Sequence, residues 1–318
     1  MRVLVTGGAG FIGANLVRSL AAGGHTVTLF DDFTTGRPEY VAGLGLDRVE
    51  ADILDAERVR QAIEGHDAVV HLAAQTGVPA SVVDPRADCR VNVTGTLNVL
   101  EAARLAGARR IIFASSNASL GRQSPPATED KAPLPVSPYG ASKLAGEAYC
   151  LAYHGSFGLE TVVLRFANVY GPFSAHKRSV IAEFIRAAKA GRHLVIDGDG
   201  SQTRDFIYVG DLCRAINLAL KVETCGEVFQ IATGVETSIA QLAGMIQNAA
   251  GGGMSVSYGL LRQGDVKRNY SEIRKAQRVL SWQPVVSLAE GLQHTWTWFS
   301  AWPASQGEAR ERARERLS

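Results

Sequence analysis

Two short segments of this 318-residue chain carry side chains that together can move a proton. One is Tyr139-Gly140-Ala141-Ser142-Lys143, directly after Ser137-Pro138, a pair that marks a helix start. Residues four apart on a helix share a face, so Tyr139 and Lys143 are expected as neighbours. A phenol with a pKa of about 10 is a poor base at neutral pH, but an adjacent ammonium stabilises the phenolate and lowers that value. The second segment, Ala114-Ser115-Ser116-Asn117, ends an apolar run. In a parallel sheet, ligands gather at the carboxyl ends of the strands. Ser116 and Tyr139 are therefore expected to converge on one hydroxyl, with Ser116 holding the oxygen whose proton Tyr139 removes.

A third segment supplies a place for a nucleotide. Thr6-Gly7-Gly8-Ala9-Gly10-Phe11-Ile12-Gly13 lies between the first apolar run and the first helical stretch, the context a dinucleotide fingerprint requires. Gly7, Gly10 and Gly13 permit a tight turn and close backbone approach, and the helix N-terminus offers amide donors to a pyrophosphate. The next apolar run ends in Asp31, 18 residues after Gly13, where a carboxylate binds the adenine-side ribose diol. That carboxylate repels a 2′-phosphate and favours NAD over NADP. Asp52-Ile53 follows the third strand, where an adenine-edge contact is expected.

These groups need a rigid frame, and the chain alternates strand and helix in the way that provides one. Short β-branched runs at Arg2 to Thr6, Thr26 to Phe30, Ala68 to Leu72, Arg110 to Ser115 and Thr161 to Phe166 are separated by helical patterns. The patterns lie at Phe11 to Ala22, Ala56 to Ile63, Val91 to Ala106 and Pro138 to Tyr153. This predicts an α/β fold with a doubly wound parallel sheet. After about Arg165 the pattern loosens, with short helices at Val180 to Ala190 and Ile239 to Ala250, and a smaller α/β domain is expected. The boundaries expected are 1–165 for the nucleotide domain, with return segments around 204–232, then 166–304 for the second domain. A charged tail occupies 305–318.

Composition narrows the class. Lys plus Arg number 33 against 31 Asp plus Glu, with 20% charged and 46% apolar residues, so nucleic acid and membrane partners are not expected. Cys89, Cys150, Cys213 and Cys225 form no CxxC pair and do not cluster with histidines, so no metal site is expected. Reduced thiols, and an apolar run that begins at Val3 with no room for a leader, point to the cytoplasm.

Taken together, these segments resemble the extended short-chain dehydrogenase/reductase family, in its nucleotide-sugar epimerase/dehydratase branch. The likeness runs from Thr6–Gly13 through His71-Leu72-Ala73-Ala74, Asn92-Val93-Thr94-Gly95-Thr96 and Tyr139–Lys143 to Leu280-Ser281-Trp282-Gln283-Pro284. The resemblance implies a Rossmann domain holding NAD through Gly7, Gly10, Phe11, Ile12, Gly13, Asp31, Asp52, Ile53, Leu72, Ala73, Tyr139 and Lys143, with Ser116, Tyr139 and Lys143 as the catalytic set. It also implies a UDP-sugar held in the second domain by Asn168, Arg204 and Arg262, where guanidinium forks suit a dianionic pyrophosphate. A homodimer built on the helices Val91 to Ala106 and Pro138 to Tyr153 is implied as well.

Within that branch, dehydratases carry an Asp-Glu pair just after the Ser116 position, and pentose-forming decarboxylases a Glu two residues after it. Here those positions are Asn117 and Ala118. With no acid to expel water or carboxylate, the resemblance implies C4 epimerisation of a UDP-sugar through a 4-keto intermediate. Leu120 and Ala167 depart from the residues usual in relatives. Asn269, seven positions after Arg262, falls where relatives line the space beside C2. A short amide there admits an N-acetyl group, so UDP-GlcNAc/GalNAc is allowed beside UDP-Glc/Gal. His176, Lys177 and Arg178 keep a uronate, and hence a UDP-glucuronate 4-epimerase, as an alternative. A reductase or dehydratase of the same family is a further one.

Overall fold

In this computed structural model, residues 1–260 and 267–303 are described. The strands of the first part are β1 (Arg2–Thr6), β2 (Thr26–Asp31), β3 (Asp47–Glu50), β4 (Ala68–His71), β5 (Arg110–Ser116) and β6 (Glu160–Phe166). Between them run α1 (Phe11–Ala22), α2 (Ala56–Ile63), α3 (Val78–Val83), α4 (Pro85–Cys89), α5 (Thr96–Ala106) and α6 (Pro138–Phe157). The second part holds β7 (Asn168–Tyr170), α7 (Val180–Lys189), β8 (Leu194–Asp197), β9 (Thr203–Arg204), β10 (Phe206–Tyr208) and α8 (Val209–Ala219). It continues with β11 (Glu227–Ile231), β12 (Thr237–Ser238), α9 (Ile239–Ala249), β13 (Val256–Gly259), α10 (Arg274–Val279) and α11 (Leu288–Ala301).

The central sheet has the order β11-β6-β5-β4-β1-β2-β3, and every pairing in it is parallel. This is the α/β doubly wound arrangement, and its central strands are covered on both faces: Val3, Leu4, Val5, Val69 and Val70 have no exposed surface. The order reverses at β1 and β4, so the carboxyl ends of these two strands open a crevice. The first turn and the His71-Leu72-Ala73 segment meet there.

Local chemistry sets the helix limits. Ser137 caps α6 by accepting from Gly140 N at 3.1 Å, with Pro138 in the first turn. The helix runs to Phe157, beyond the expected Tyr153, because Gly158 (φ 71°) is the residue that takes the left-handed cap. The helix expected from Val91 is instead a widened π-type turn over Arg90–Gly95 that passes into α5. Asn92, buried in that turn, bonds the backbone of Gln75 in both directions (2.8 and 2.9 Å) and reaches Asp88 and Ser142.

The return to the sheet is explicit. Helix α8 lies against α1, and β11 extends the sheet beside β6 with Glu227 opposite Val162. A separate apolar core, built on Phe184, Ile185, Leu242, Ile246, Leu292 and Phe299, joins α7, α9 and α11. Among the described residues no helix is long and apolar enough to cross a membrane.

Candidate active site

One large cavity, about 650 Å³, lies at the crevice, within the range of small-molecule and cofactor sites. The glycine turn forms its floor because nothing larger fits there. Gly7 has φ +68°, and a Cβ on it would sit 2.7 Å from Ala73 N. A Cβ on Gly13 would lie 2.2 Å from Gly7 O, so α1 starts tight against the turn. Asp31, at the end of β2, is 6% exposed; its Oδ2 accepts from Ala9 N (2.9 Å) and its Oδ1 from Phe33 N (2.8 Å). Burial raises this carboxyl above its ordinary value, against the two amide bonds that lower it.

Every residue named from the sequence for the cofactor lies on the wall of this cavity: Gly7, Gly10, Phe11, Ile12, Gly13, Asp31, Asp52, Ile53, Leu72, Ala73, Tyr139 and Lys143. Sequence spacing did not point to other lining residues, among them Thr34, Gln75 and Thr76, whose positions depend on loops, and Phe166 at the end of β6. His176, Lys177, Arg178 and Ser179 also reach it from the second part of the chain. Lys177 Nζ donates to Thr76 Oγ1 at 3.3 Å, and the His176 ring stacks obliquely on Tyr40 with centroids 5.6 Å apart. Burial drives the His176 pKa down to about 4, helped by the nearby cations Lys177, Arg37 and Arg186, so this ring is neutral at pH 7.

Tyr139 and Lys143 sit in the first turns of α6, with the Ser116 side chain beside the Tyr139 phenol. Burial raises the Tyr139 phenol to about 12, with the Ser116 bond pulling the other way and Asp88 adding to the rise. Lys143 is 4% exposed; its Nζ donates to Ala114 O at 2.9 Å and lies 5.0 Å from the Phe113 ring centre. Burial lowers it to about 8, opposed by Asp88, Cys150 and Glu147. The lysine is thus anchored to the strand that ends in Ser116, rather than paired with the phenol. The lowering of the phenol expected from spacing is overridden by desolvation.

Residues 3–232 match the family model described as the NAD dependent epimerase/dehydratase family. The chain belongs to the NAD-dependent epimerase/dehydratase family. A UDP-glucose 4-epimerase of Mycolicibacterium smegmatis is 42% identical over 308 residues, covering 94% of this chain and 98% of that protein. Two solved structures superpose over nearly the whole chain. The UDP-glucose 4-epimerase of Thermotoga maritima with UDP-glucose has a TM-score of 0.90 at 36% identity, covering 94% of this chain and 98% of its own. The UDP-glucose 4-epimerase of Thermus thermophilus in complex with NAD has a TM-score of 0.88 at 36% identity, covering 95% and 99%.

NAD is the cofactor of the NAD-dependent epimerase/dehydratase family, and the cavity fits it. Glycine backbone stands where side chains would block a pyrophosphate. A buried carboxylate, with lone pairs beyond its two amide bonds, stands where a ribose diol needs an acceptor. The sugar-side residues are arranged differently. Ser116, Asn168, Arg204 and Asn269 are not on the wall of the large cavity. Asn168 is exposed, with its Nδ2 donating to Asp205 O at 3.1 Å, and Arg204 Nη1 donates to Thr203 O at 2.7 Å. Asn269 lines a separate hollow of about 20 Å³ with Asn117 and Arg268, and Arg262 lies outside the described residues. Asp205, fully buried and overlooked in the sequence, organises this side. Its carboxylate accepts from Thr233 N and Oγ1 (2.9 and 2.6 Å) and Gly234 N (2.9 Å), tying β11's exit loop to the strand after Arg204.

Proposed function

We propose that this protein interconverts the C4 epimers of a UDP-sugar through a transient 4-keto sugar. The observation that carries the reading is the chemistry beside Ser116: Asn117 donates to Ser271 Oγ at 2.8 Å and Ala118 is apolar, so no carboxylate follows the serine to expel water or assist loss of a carboxyl group. In this reading Ser116 holds the C4 hydroxyl and Tyr139 removes and returns its proton. Lys143 keeps positive charge beside the strand end. NAD, when bound, would supply a reversible hydride acceptor for C4. Gly7, Gly10, Phe11, Ile12 and Gly13 serve its pyrophosphate, Asp31 its ribose and Asp52-Ile53 its adenine, while Leu72 and Ala73 border the reacting end.

The residues assigned to the UDP-sugar are Asn168, Arg204, Arg262 and Asn269. The short Asn269 side chain supports N-acetylhexosamine as well as plain hexose substrates. A uronate is the weaker reading, since His176 is neutral and packed on Tyr40 while Lys177 faces Thr76. The nucleotide part is taken as 1–165 with the returning 204–232 segment, and the sugar part as 166–304, in a cytoplasmic homodimer. Mass spectrometry of ligands released from the purified protein, with parallel turnover of UDP-Glc, UDP-GlcNAc and UDP-GlcA by the parent and by Asn269→Tyr, tests the assignment. Epimerisation with NAD regenerated is expected, and Asn269→Tyr should lose N-acetylated turnover selectively. Stoichiometric consumption of NADH or NADPH instead would make the protein a reductase.

A further inference from the structure

Behind the two reacting hydroxyls, β5 and α6 are joined by a buried polar clasp that the chemistry above does not use. Glu147 lies about two turns along α6 from Tyr139 and is 2% exposed. Its Oε1 accepts from Ser115 Oγ, from Ser119 Oγ at 2.7 Å and from Arg165 Nε at 2.9 Å, and its Oε2 accepts from Arg165 Nη2 at 2.7 Å. Arg165 stands opposite Ser115 in the β5–β6 register, so two of the carboxylate's three partners come from fixed strand positions, and the third, Ser119, from the turn that follows β5. Ser119 Oγ is also 2.8 Å from the Ser116 carbonyl oxygen, so one hydroxyl proton is shared between the helix and the backbone of the reacting serine. At the other end of this contact, a Cβ on Gly140 would fall 2.3 Å from Ala118 O. The helix and the turn that carries Ser116 therefore touch on both sides of the Ser116–Tyr139 pair.

Stability alone gives no reason for this arrangement, because a buried ion pair of this kind is often replaced by apolar side chains at no loss. What a clasp does supply is a fixed separation, and displacements of about 1 Å at a reacting centre can cost about 10²-fold in rate. We propose that Glu147, held by Arg165, is a positioning residue that fastens Ser119 and Ser115 to α6 and so sets the Ser116 hydroxyl against Tyr139. It touches neither substrate nor cofactor. The proposal rests on the functional reading only for its rate measurement.

Two variants test it. Ser119→Ala keeps the charge pair and cuts the link to Ser116; the Glu147→Leu/Arg165→Met double variant removes the clasp without stranding a charge. Each is expected to lower kcat with UDP-glucose or UDP-GlcNAc, by about 3- to 10-fold for Ser119→Ala and about 10- to 100-fold for the double variant. KM should stay within threefold and bound NAD should be unchanged. A purely structural role would lower the melting temperature and leave kcat per NAD-loaded subunit alone. A readout that needs no turnover is the Cζ resonance of 13C-labelled tyrosine, assigned by Tyr139→Phe. In Ser119→Ala it is expected to move at least a third of the way to its position in Ser116→Ala. A kcat for Ser119→Ala within twofold of the parent overturns the proposal, whatever the double variant does. If none of the UDP-sugars turns over, the functional reading fails, and an unmoved Tyr139 resonance then overturns the clasp on its own.

Discussion

Removing the Asp31 carboxylate should separate cofactor binding from folding in a measurable way. The side chain has two duties: its oxygens accept from Ala9 N and Phe33 N, and its remaining lone pairs face the cavity. Asp31→Ala takes away a hydrogen bond from a ribose hydroxyl to a charged acceptor, worth about 1.5–3 kcal/mol, so the NAD dissociation constant should rise about 10- to 150-fold. It also strands the Ala9 amide, whose residue has no exposed surface, at about 1–3 kcal/mol of stability in the cofactor-free protein. That loss is a few degrees in melting temperature for a chain of this size. Asp31→Asn keeps one acceptor oxygen and should recover most of the stability but not the affinity. Titration calorimetry of stripped protein with NAD and NADP, beside scanning calorimetry without ligand, measures both quantities. Because burial raises the Asp31 carboxyl, protonation begins above the usual carboxylate range. NAD affinity should therefore fall as pH is lowered into that region, and the fall should be absent in Asp31→Asn. Parent-like NAD affinity in Asp31→Ala, or tighter binding of NADP by the parent, would refute the reasoning.

Three further outcomes are expected. Tyr139→Phe should abolish turnover while leaving NAD content intact, and Ser116→Ala should lose about 10²–10⁴-fold; near-parent kcat in Tyr139→Phe would place the base elsewhere. Lys143 falls to about 8, so its ammonium is present below that pH and lost above it, and kcat should decline on the alkaline side of about pH 8; a profile flat to pH 9.5 would contradict this. Tyr149, Leu151 and Phe157 of α6 and Leu105 of α5 are exposed, so light scattering should give twice the 33.9 kDa chain mass, and Leu151→Glu should restore the monomer. A parent that scatters as a monomer at micromolar concentration removes the dimer.

Spacing revealed what depends on local periodicity. Strands β1, β2, β4, β5 and β6, α1, α2 and the start of α6 follow from apolar patterning and from residues such as Ser137-Pro138, and the glycine turn with Asp31 follows from β–α alternation. Contacts made across the fold were not legible. Val99, Ala102 and Ala103 are buried in the core, because α5 packs on α2, while α6 keeps Ala148 and Leu151 outside. The π-type turn at Arg90–Gly95 depends on Asn92 reaching Gln75, and Asp205 depends on Thr233 and Gly234, partners far away in the chain. A buried polar residue has no periodic signature. Only its burial reveals that partners must exist.

The Tyr139–Lys143 pair shows where an argument from spacing stops. Four residues on a helix do bring the two side chains to one face, yet the phenol rises to about 12 and the ammonium falls to about 8. Both shifts have burial as their largest cause, and both favour the uncharged forms. Lys143 also spends one donor on Ala114 O, which fixes its nitrogen at the end of β5. In the proposed reaction a lysine so placed would act through field rather than through contact, stabilising any negative charge that develops on oxygens near Ser116 and Tyr139 while it remains protonated. The group beside the phenol that pulls the Tyr139 pKa down is instead Ser116. In the proposed reaction Ser116 would have two duties, holding the substrate oxygen and tuning the base, and the substitution that removes its hydroxyl should both weaken catalysis and shift the Tyr139 titration upward.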